Sequence, residues 1–145
     1  MTLPADAGTY LLHLRLERSR WLTVGRLGEF RFPAGEYVYV GSAFGPGGLR
    51  ARLGRHLRGD GRPHWHIDTL RAAATVCGFK FAVTDRPLEC VWSQALATLP
   101  QAGIPVPGFG SSDCRLGCRA HLIAFPGETI LHRLREMLPA PAEGT

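Results

Sequence analysis

Arg52 and His56 are the first residues in this sequence whose types and spacing suit chemistry. In a helix, residues four apart lie on one side. Leu49, Leu53 and Leu57 in the same stretch recur at i, i+4 and i+8 and form an apolar stripe. Arg52 and His56 fall together on one border of that stripe, while Arg55 and Arg58 point further out. The pair should therefore sit half-buried against a sheet edge. A half-buried guanidinium needs an anion, either a structural carboxylate or an anionic ligand. Glu89 is the second candidate. It falls in the first turn of a predicted helix, where a carboxylate either complements the helix dipole or serves as a ligand for a hard cation such as magnesium.

A third set has the ligand types of a zinc site: His64, His66, Cys114, Cys118 and His121. Cys118-x-x-His121 has usable spacing, whereas Cys114-x-x-x-Cys118 is less telling than a Cys-x-x-Cys pair. The alternative is that His64 and His66 line a polar groove while Cys114 and Cys118 pack. Asp68 and Asp113 could orient a histidine or cap local turns. Tyr10, Tyr37 and Tyr39 are the only tyrosines. All three fall on predicted strands, with Tyr37 and Tyr39 on one face and Val38 and Val40 on the other. The common fate of such tyrosines is half-burial with the hydroxyl at the surface.

The elements that must position these groups follow from periodicity. Strands are expected over residues 9–16, 36–40, 74–83 and 120–125, with a hairpin of 20–26 and 29–32 turning near Gly25 and Gly28. Helices are expected over 49–58, 64–73, 87–99 and 128–138, the third capped by Thr84 or Asp85. Residues 41–48, rich in glycine, read as a flexible loop. The order is mixed without regular βαβ alternation, so the class is α+β. Residues 1–138 are expected to form one domain and 139–145 a flexible tail.

Composition narrows the function classes. The chain has 145 residues, 45% of them hydrophobic, which excludes global disorder. No apolar run reaches a membrane span, and the first residues lack the basic and apolar regions of a secretory signal, which predicts a cytoplasmic protein with reduced thiols. Cys77, in an apolar run, is expected to be a small core residue. The net charge is +5, carried by 16 Arg and one Lys against 12 acidic residues. Arg50, Arg52, Arg55, Arg58 and Arg62, against Asp60 alone, place four of those charges within thirteen residues. Such a cluster is either a surface for a polyanion such as nucleic acid or a solvated helix face in an Arg-rich protein.

Taken together, Gly8-Thr-Tyr10, Tyr39-Val-Gly41, Ser42, Leu49-x-x-Arg52-x-x-x-His56 and a later helix with Glu89 resemble the GIY-YIG nuclease superfamily. Tyr37-Val-Tyr-Val-Gly-Ser-Ala43, Gly47-Gly-Leu49, Arg55-His56, His64-Trp-His-Ile-Asp68, Glu89-Cys90, Gly108-Phe-Gly-Ser-Ser-Asp-Cys114 and Cys118-x-x-His-Leu122 resemble one of its branches, the domain of unknown function 123 family. The resemblance implies a small three-stranded antiparallel sheet flanked by helices, here with an inserted β-hairpin in the 28 residues between Tyr10 and Tyr39. It also implies metal-dependent hydrolysis of phosphodiester bonds in nucleic acid, DNA before RNA, in a repair-related setting. Carried over by position, Tyr10, aided by His56, would deprotonate the attacking water. Tyr39 would support it or contact the phosphate, Arg52 would stabilise the phosphoryl oxygens, and Glu89 would hold Mg²⁺ or Mn²⁺. Arg50, Arg55, Arg58 and Arg62 would contact the nucleic-acid backbone. Two other functions are weighed against this one: a nucleic-acid-binding module without cleavage, and a zinc-stabilised structural or interaction domain.

Overall fold

The computed structural model describes residues 3–59, 66–110, 118, 120–125 and 142–144. Those residues form an α+β arrangement of a large antiparallel sheet, a separate hairpin and three helices. The main sheet is built from β1 (Gly8–Leu16), β4 (Gly35–Ala43), β5 (Thr75–Val83), β6 (Leu122–Phe125) and β7 (Ala142–Gly144). Their order is β6-β4-β1-β5-β7, every pair antiparallel. The hairpin strands β2 (Arg20–Val24) and β3 (Gly28–Phe32) pair with each other across a single 3-10 turn, Gly25–Leu27. The helices are α1 (Gly48–Arg58), α2 (His66–Ala73) and α3 (Glu89–Ala97).

The expected three strands are the centre of the sheet, β4-β1-β5. It is wider because each outer edge of that trio still offers backbone N–H and C=O groups, which β6 and β7 take up. Ala142–Gly144 thus pairs with Phe79–Phe81 inside the stretch expected to be a flexible tail. The rest of that tail and the expected helix over 128–138 lie outside the described residues.

Strand alternation divides the core into two layers. On one face Tyr10, Leu12, Leu14, Tyr37, Tyr39 and Phe81 pack with Leu49 and Leu53 of α1 and Ile67 and Leu70 of α2. The hairpin closes this layer through Val24 and Phe32, the latter edge-on to Phe109. On the other face Leu11, Val38, Val40, Ile123 and Phe125 pack with Trp92 and Leu96 of α3. Full burial of such side chains stabilises by roughly 1.5–3 kcal/mol each before entropy is counted.

Local departures from expectation have local causes. β4 runs to Ala43 rather than stopping at Val40, because Gly41, Ser42 and Ala43 stay in register opposite Tyr10, Thr9 and Gly8. α3 begins at Glu89 with Leu88 as its N-cap and no side-chain cap, because Thr84 turns back to Arg86 instead. The Leu88 N–H donates to Thr9 Oγ1 at 3.0 Å, which ties the start of α3 to β1. Cys77 is exposed, not a core residue. It occupies the irregularity where His13 pairs with Gly78 but Leu14 pairs with Val76, and such an extra residue is turned out of the ladder. No helix among the described residues is long and apolar enough to cross a membrane.

Candidate active site

Tyr10 on β1 and Tyr39 on β4 meet on the α1 side of the sheet, with ring centroids 6.3 Å apart. Neither shows its hydroxyl at the surface: Tyr10, Tyr37 and Tyr39 are all buried. The register explains how Tyr10 fits. It lies opposite Gly41, and a Cβ at that position would fall 2.5 Å from the Tyr10 hydroxyl. A glycine two residues after Tyr39 is therefore what lets the Tyr10 ring lie across β4.

Helix α1 delivers Arg52 and His56 to the same place, as the leucine stripe requires. Leu49 and Leu53 are fully buried, Arg52 is half-buried and His56 is buried. His56 Nε2 lies 2.9 Å from the Tyr10 hydroxyl, and its ring is 6.1 Å from that of Tyr39, edge-on. Arg52 Nη1 donates to the Ser42 carbonyl at 2.6 Å, so the guanidinium is clamped to the end of β4. There it lies close enough to both tyrosine hydroxyls to favour their ionised forms. Ser42 Oγ is buried at this end of β4 with no hydrogen-bond partner.

Helix α2 adds Asp68. Its carboxylate receives a forked pair of contacts from Arg55, the closest at 3.1 Å, and Oδ1 lies 3.8 Å from His56 Nδ1. Of the two roles open to Asp68 in the sequence, the structure places it beside a histidine. Hydroxyl, imidazole and carboxylate therefore run in line from Tyr10 through His56 to Asp68. Arg55 is half-buried and paired with that carboxylate. Arg50 donates from Nε to the Leu3 carbonyl, Arg58 is exposed, and Arg62 lies outside the described residues.

Electrostatics define the resting protonation. Burial dominates at Tyr10 and holds its hydroxyl well above the ordinary value of 10, with Tyr39 and Glu89 adding to the effect and Arg52 opposing it. Burial likewise pushes Tyr39 up to about 12 against the pull of Arg52. His56 is lowered to about 4, first by burial and then by Arg52, Arg55 and Arg71, while Asp68 opposes. At neutral pH the site therefore holds a neutral imidazole. His56 Nδ1 faces the Asp68 carboxylate, which favours the tautomer with its proton on Nδ1 and with Nε2 accepting from the Tyr10 O–H.

Glu89 enters from α3, the helix of the opposite layer, and reaches the edge of this site. It is half-buried, and its charge acts on both tyrosines. Its Oε2 lies 3.6 Å from His121 Nδ1. His121 itself is buried just before β6, where its carbonyl accepts from the Val40 N–H at 2.9 Å.

Cys90, the next residue on α3, was not in the set expected to bind zinc. With Cys118 and His121 it forms a cluster whose donor atoms all lie within 4.8 Å of one another, able to hold a metal ion. His66 stands apart. Its Nδ1 accepts from the Gly110 N–H at 2.9 Å and its ring packs against Phe109. His64 and Cys114 lie outside the described residues. A cavity of about 330 Å³ opens on the α3 side between Ser93, Gln94 and Cys118, away from the tyrosines.

Two comparisons gave nothing: no curated protein and no solved structure matches the chain. A family signature, domain of unknown function DUF123, matches residues 9–141.

Proposed function

The chain belongs to the DUF123 family, and from that premise we propose that it is a metal-dependent endonuclease of the GIY-YIG type, hydrolysing phosphodiester bonds in DNA. The observation that carries this reading is the line from Tyr10 to His56 to Asp68 with Arg52 alongside. Four residues from three elements meet in one cluster, Tyr10 and His56 buried and Arg52 and Asp68 half-buried, and each has a task in phosphoryl transfer.

The proton path follows from the resting state. Water attacking phosphorus gives its proton to the Tyr10 oxygen as the Tyr10 proton passes to His56 Nε2. Asp68, beside Nδ1, stabilises the imidazolium that forms. A phenol with a raised pKa does not ionise at neutral pH, so Tyr10 takes the proton from water only as it passes its own to the neutral imidazole. Arg52, held by the Ser42 carbonyl, faces the charge developing on the phosphoryl oxygens. Tyr39 packs beside Tyr10 and offers its O–H to the same phosphate. The bond from phosphorus to the leaving oxygen breaks, and that oxygen takes its proton from solvent.

Glu89 fits a hard cation: it is a half-exposed carboxylate at the site's edge, with one oxygen toward His121. Mg²⁺ or Mn²⁺ held there would supply charge neutralisation at the leaving oxygen. The Cys90–Cys118–His121 set is chemically distinct. Its soft donors suit zinc.

The test is incubation with plasmid, branched DNA and RNA in Mg²⁺ or Mn²⁺. Cleavage is expected to fall at least about 10²-fold in Tyr10→Phe and to be lost in Glu89→Ala. No cutting of any substrate above the Glu89→Ala background would sink the hydrolase reading. Salt-dependent binding without cleavage would favour a binding module, with a slope of log K against log salt near about −3.6 for four phosphate contacts.

A further inference from the structure

The His121 imidazole is bracketed by two consecutive residues of α3. Its Nε2 lies 3.7 Å from Cys90 Sγ, and its buried Nδ1 faces Glu89 Oε2 at 3.6 Å. Cys118 Sγ completes the set with Cys90 and His121. Two thiols and an imidazole are donors for zinc and poor donors for magnesium or calcium. A tetrahedron with zinc–sulfur and zinc–nitrogen bonds of about 2.0–2.3 Å has edges of about 3.5–3.8 Å. The 3.7 Å Cys90–His121 separation is already such an edge, and the spread within 4.8 Å needs only a small closure at Cys118. Cys118 is the half-buried member, and the cavity beside it gives an ion a way in.

The consequence reaches beyond the cluster. A free neutral histidine can carry its proton on either nitrogen. A metal on Nε2 removes that freedom, because the proton must then sit on Nδ1, where it points at Glu89. Metal-bound histidines usually donate in this way to a carboxylate, which fixes the ring and strengthens the ligand. Glu89 is also the carboxylate whose charge acts on Tyr10 and Tyr39. We propose that a zinc ion held by Cys90, Cys118 and His121 locks His121 to donate from Nδ1 to Glu89, so that the zinc site positions the carboxylate at the edge of the tyrosine site. His121 is then a positioning residue, acting through Glu89. The part of this inference that concerns hydrolysis rests on the function proposed above, whereas the zinc site and its dependence on Glu89 do not.

The experiment measures zinc, not turnover. The full chain is purified, its metal content is determined, and zinc affinity is measured by competition with a chromophoric chelator. About one zinc per chain is expected, with loss in Cys90→Ser and His121→Ala. Cobalt in place of zinc should show a thiolate charge-transfer band that is weakened in Cys118→Ser, a change at the half-buried member of the set. Glu89→Gln, nearly isosteric, should keep the stoichiometry and weaken zinc affinity about 10–100-fold. Circular dichroism of each variant identifies any that fail to fold. A chain that binds neither zinc nor cobalt overturns the proposal, and so does a folded Glu89→Gln variant with unchanged affinity. Tight, Glu89-dependent zinc in a chain that cuts no nucleic acid would overturn the hydrolase reading and support the zinc–His121–Glu89 link.

Discussion

His56 makes folding stability depend on pH in a way that can be calculated. Its pKa is about 4 in the folded chain against an ordinary 6.5. Between those values the unfolded chain binds the proton and the folded chain resists it, so stability rises as pH rises from 4 to 6.5. The linkage relation for this single group gives a loss of about 2 kcal/mol at pH 5 and about 3 kcal/mol at pH 4, relative to pH 7. His56 is buried, so solvent screening takes little from that figure. His13 and His121 are also lowered by burial, and carboxylates titrate in the same range, so the raw pH profile mixes several groups. The clean quantity is a difference. His56→Gln keeps a polar side chain near Tyr10 but does not titrate. Urea unfolding of both proteins at steps between pH 4 and pH 7.5 gives that difference directly. The wild type should lose about 3 kcal/mol relative to the variant as pH falls to 4, with the change complete above pH 7. A difference that stays flat, or that grows as pH rises, would mean that His56 is not held neutral, and the proton relay proposed for Tyr10 would go with it.

Two further changes probe the same assembly. Gly41→Ala places a Cβ 2.5 Å from the Tyr10 hydroxyl; urea unfolding should show a loss of about 1–3 kcal/mol, and DNA cleavage should fall by a larger factor than unfolding alone explains, whereas full cleavage would mean the hydroxyl need not be where it sits. Asp68→Asn removes the anion that raises His56, so the midpoint of the His56 titration, followed by NMR, should move to still lower pH; an unmoved or higher midpoint would show that Asp68 does not act on the ring.

How far the site could be read from sequence depends on the distance over which each constraint acts. The Arg52–His56 pair was legible because helical spacing is local, and three leucines fixed which side of α1 would face the sheet. The split of Tyr37 and Tyr39 from Val38 and Val40 was legible for the same reason, with period two in place of 3.6. The class, and the elements from β1 to β6, followed from such patterns. The burial of the tyrosine hydroxyls did not, because it depends on a layer made by α1, α2, the hairpin and Phe109 together. Cys77 was misplaced because its apolar neighbours suggest a regular strand, and only the pairing with β1 reveals the irregularity. Cys90 escaped the expected zinc set because no other thiol or imidazole stands near it in sequence, and only the fold brings it beside Cys118 and His121. The one available signal was its place directly after Glu89, since adjacent residues in a first helical turn can flank a single ring on two sides.

The two layers of the core explain why Glu89 can serve both sites. The tyrosines, Arg52 and His56 belong to the α1 layer, and the thiols belong with α3 on the other side of the sheet. A closed sheet would separate them. They are brought together where α3 is tied to the sheet: the Leu88 N–H is fastened to the Thr9 side chain. That fastening puts the first turn of α3 at the end of β1 and β4, so Glu89 reaches around toward the tyrosines while Cys90 remains beside His121. Any change that loosens the start of α3 should therefore disturb metal binding and the tyrosine site together. A change deeper in α3, at Leu96 for example, should reach them only through global stability.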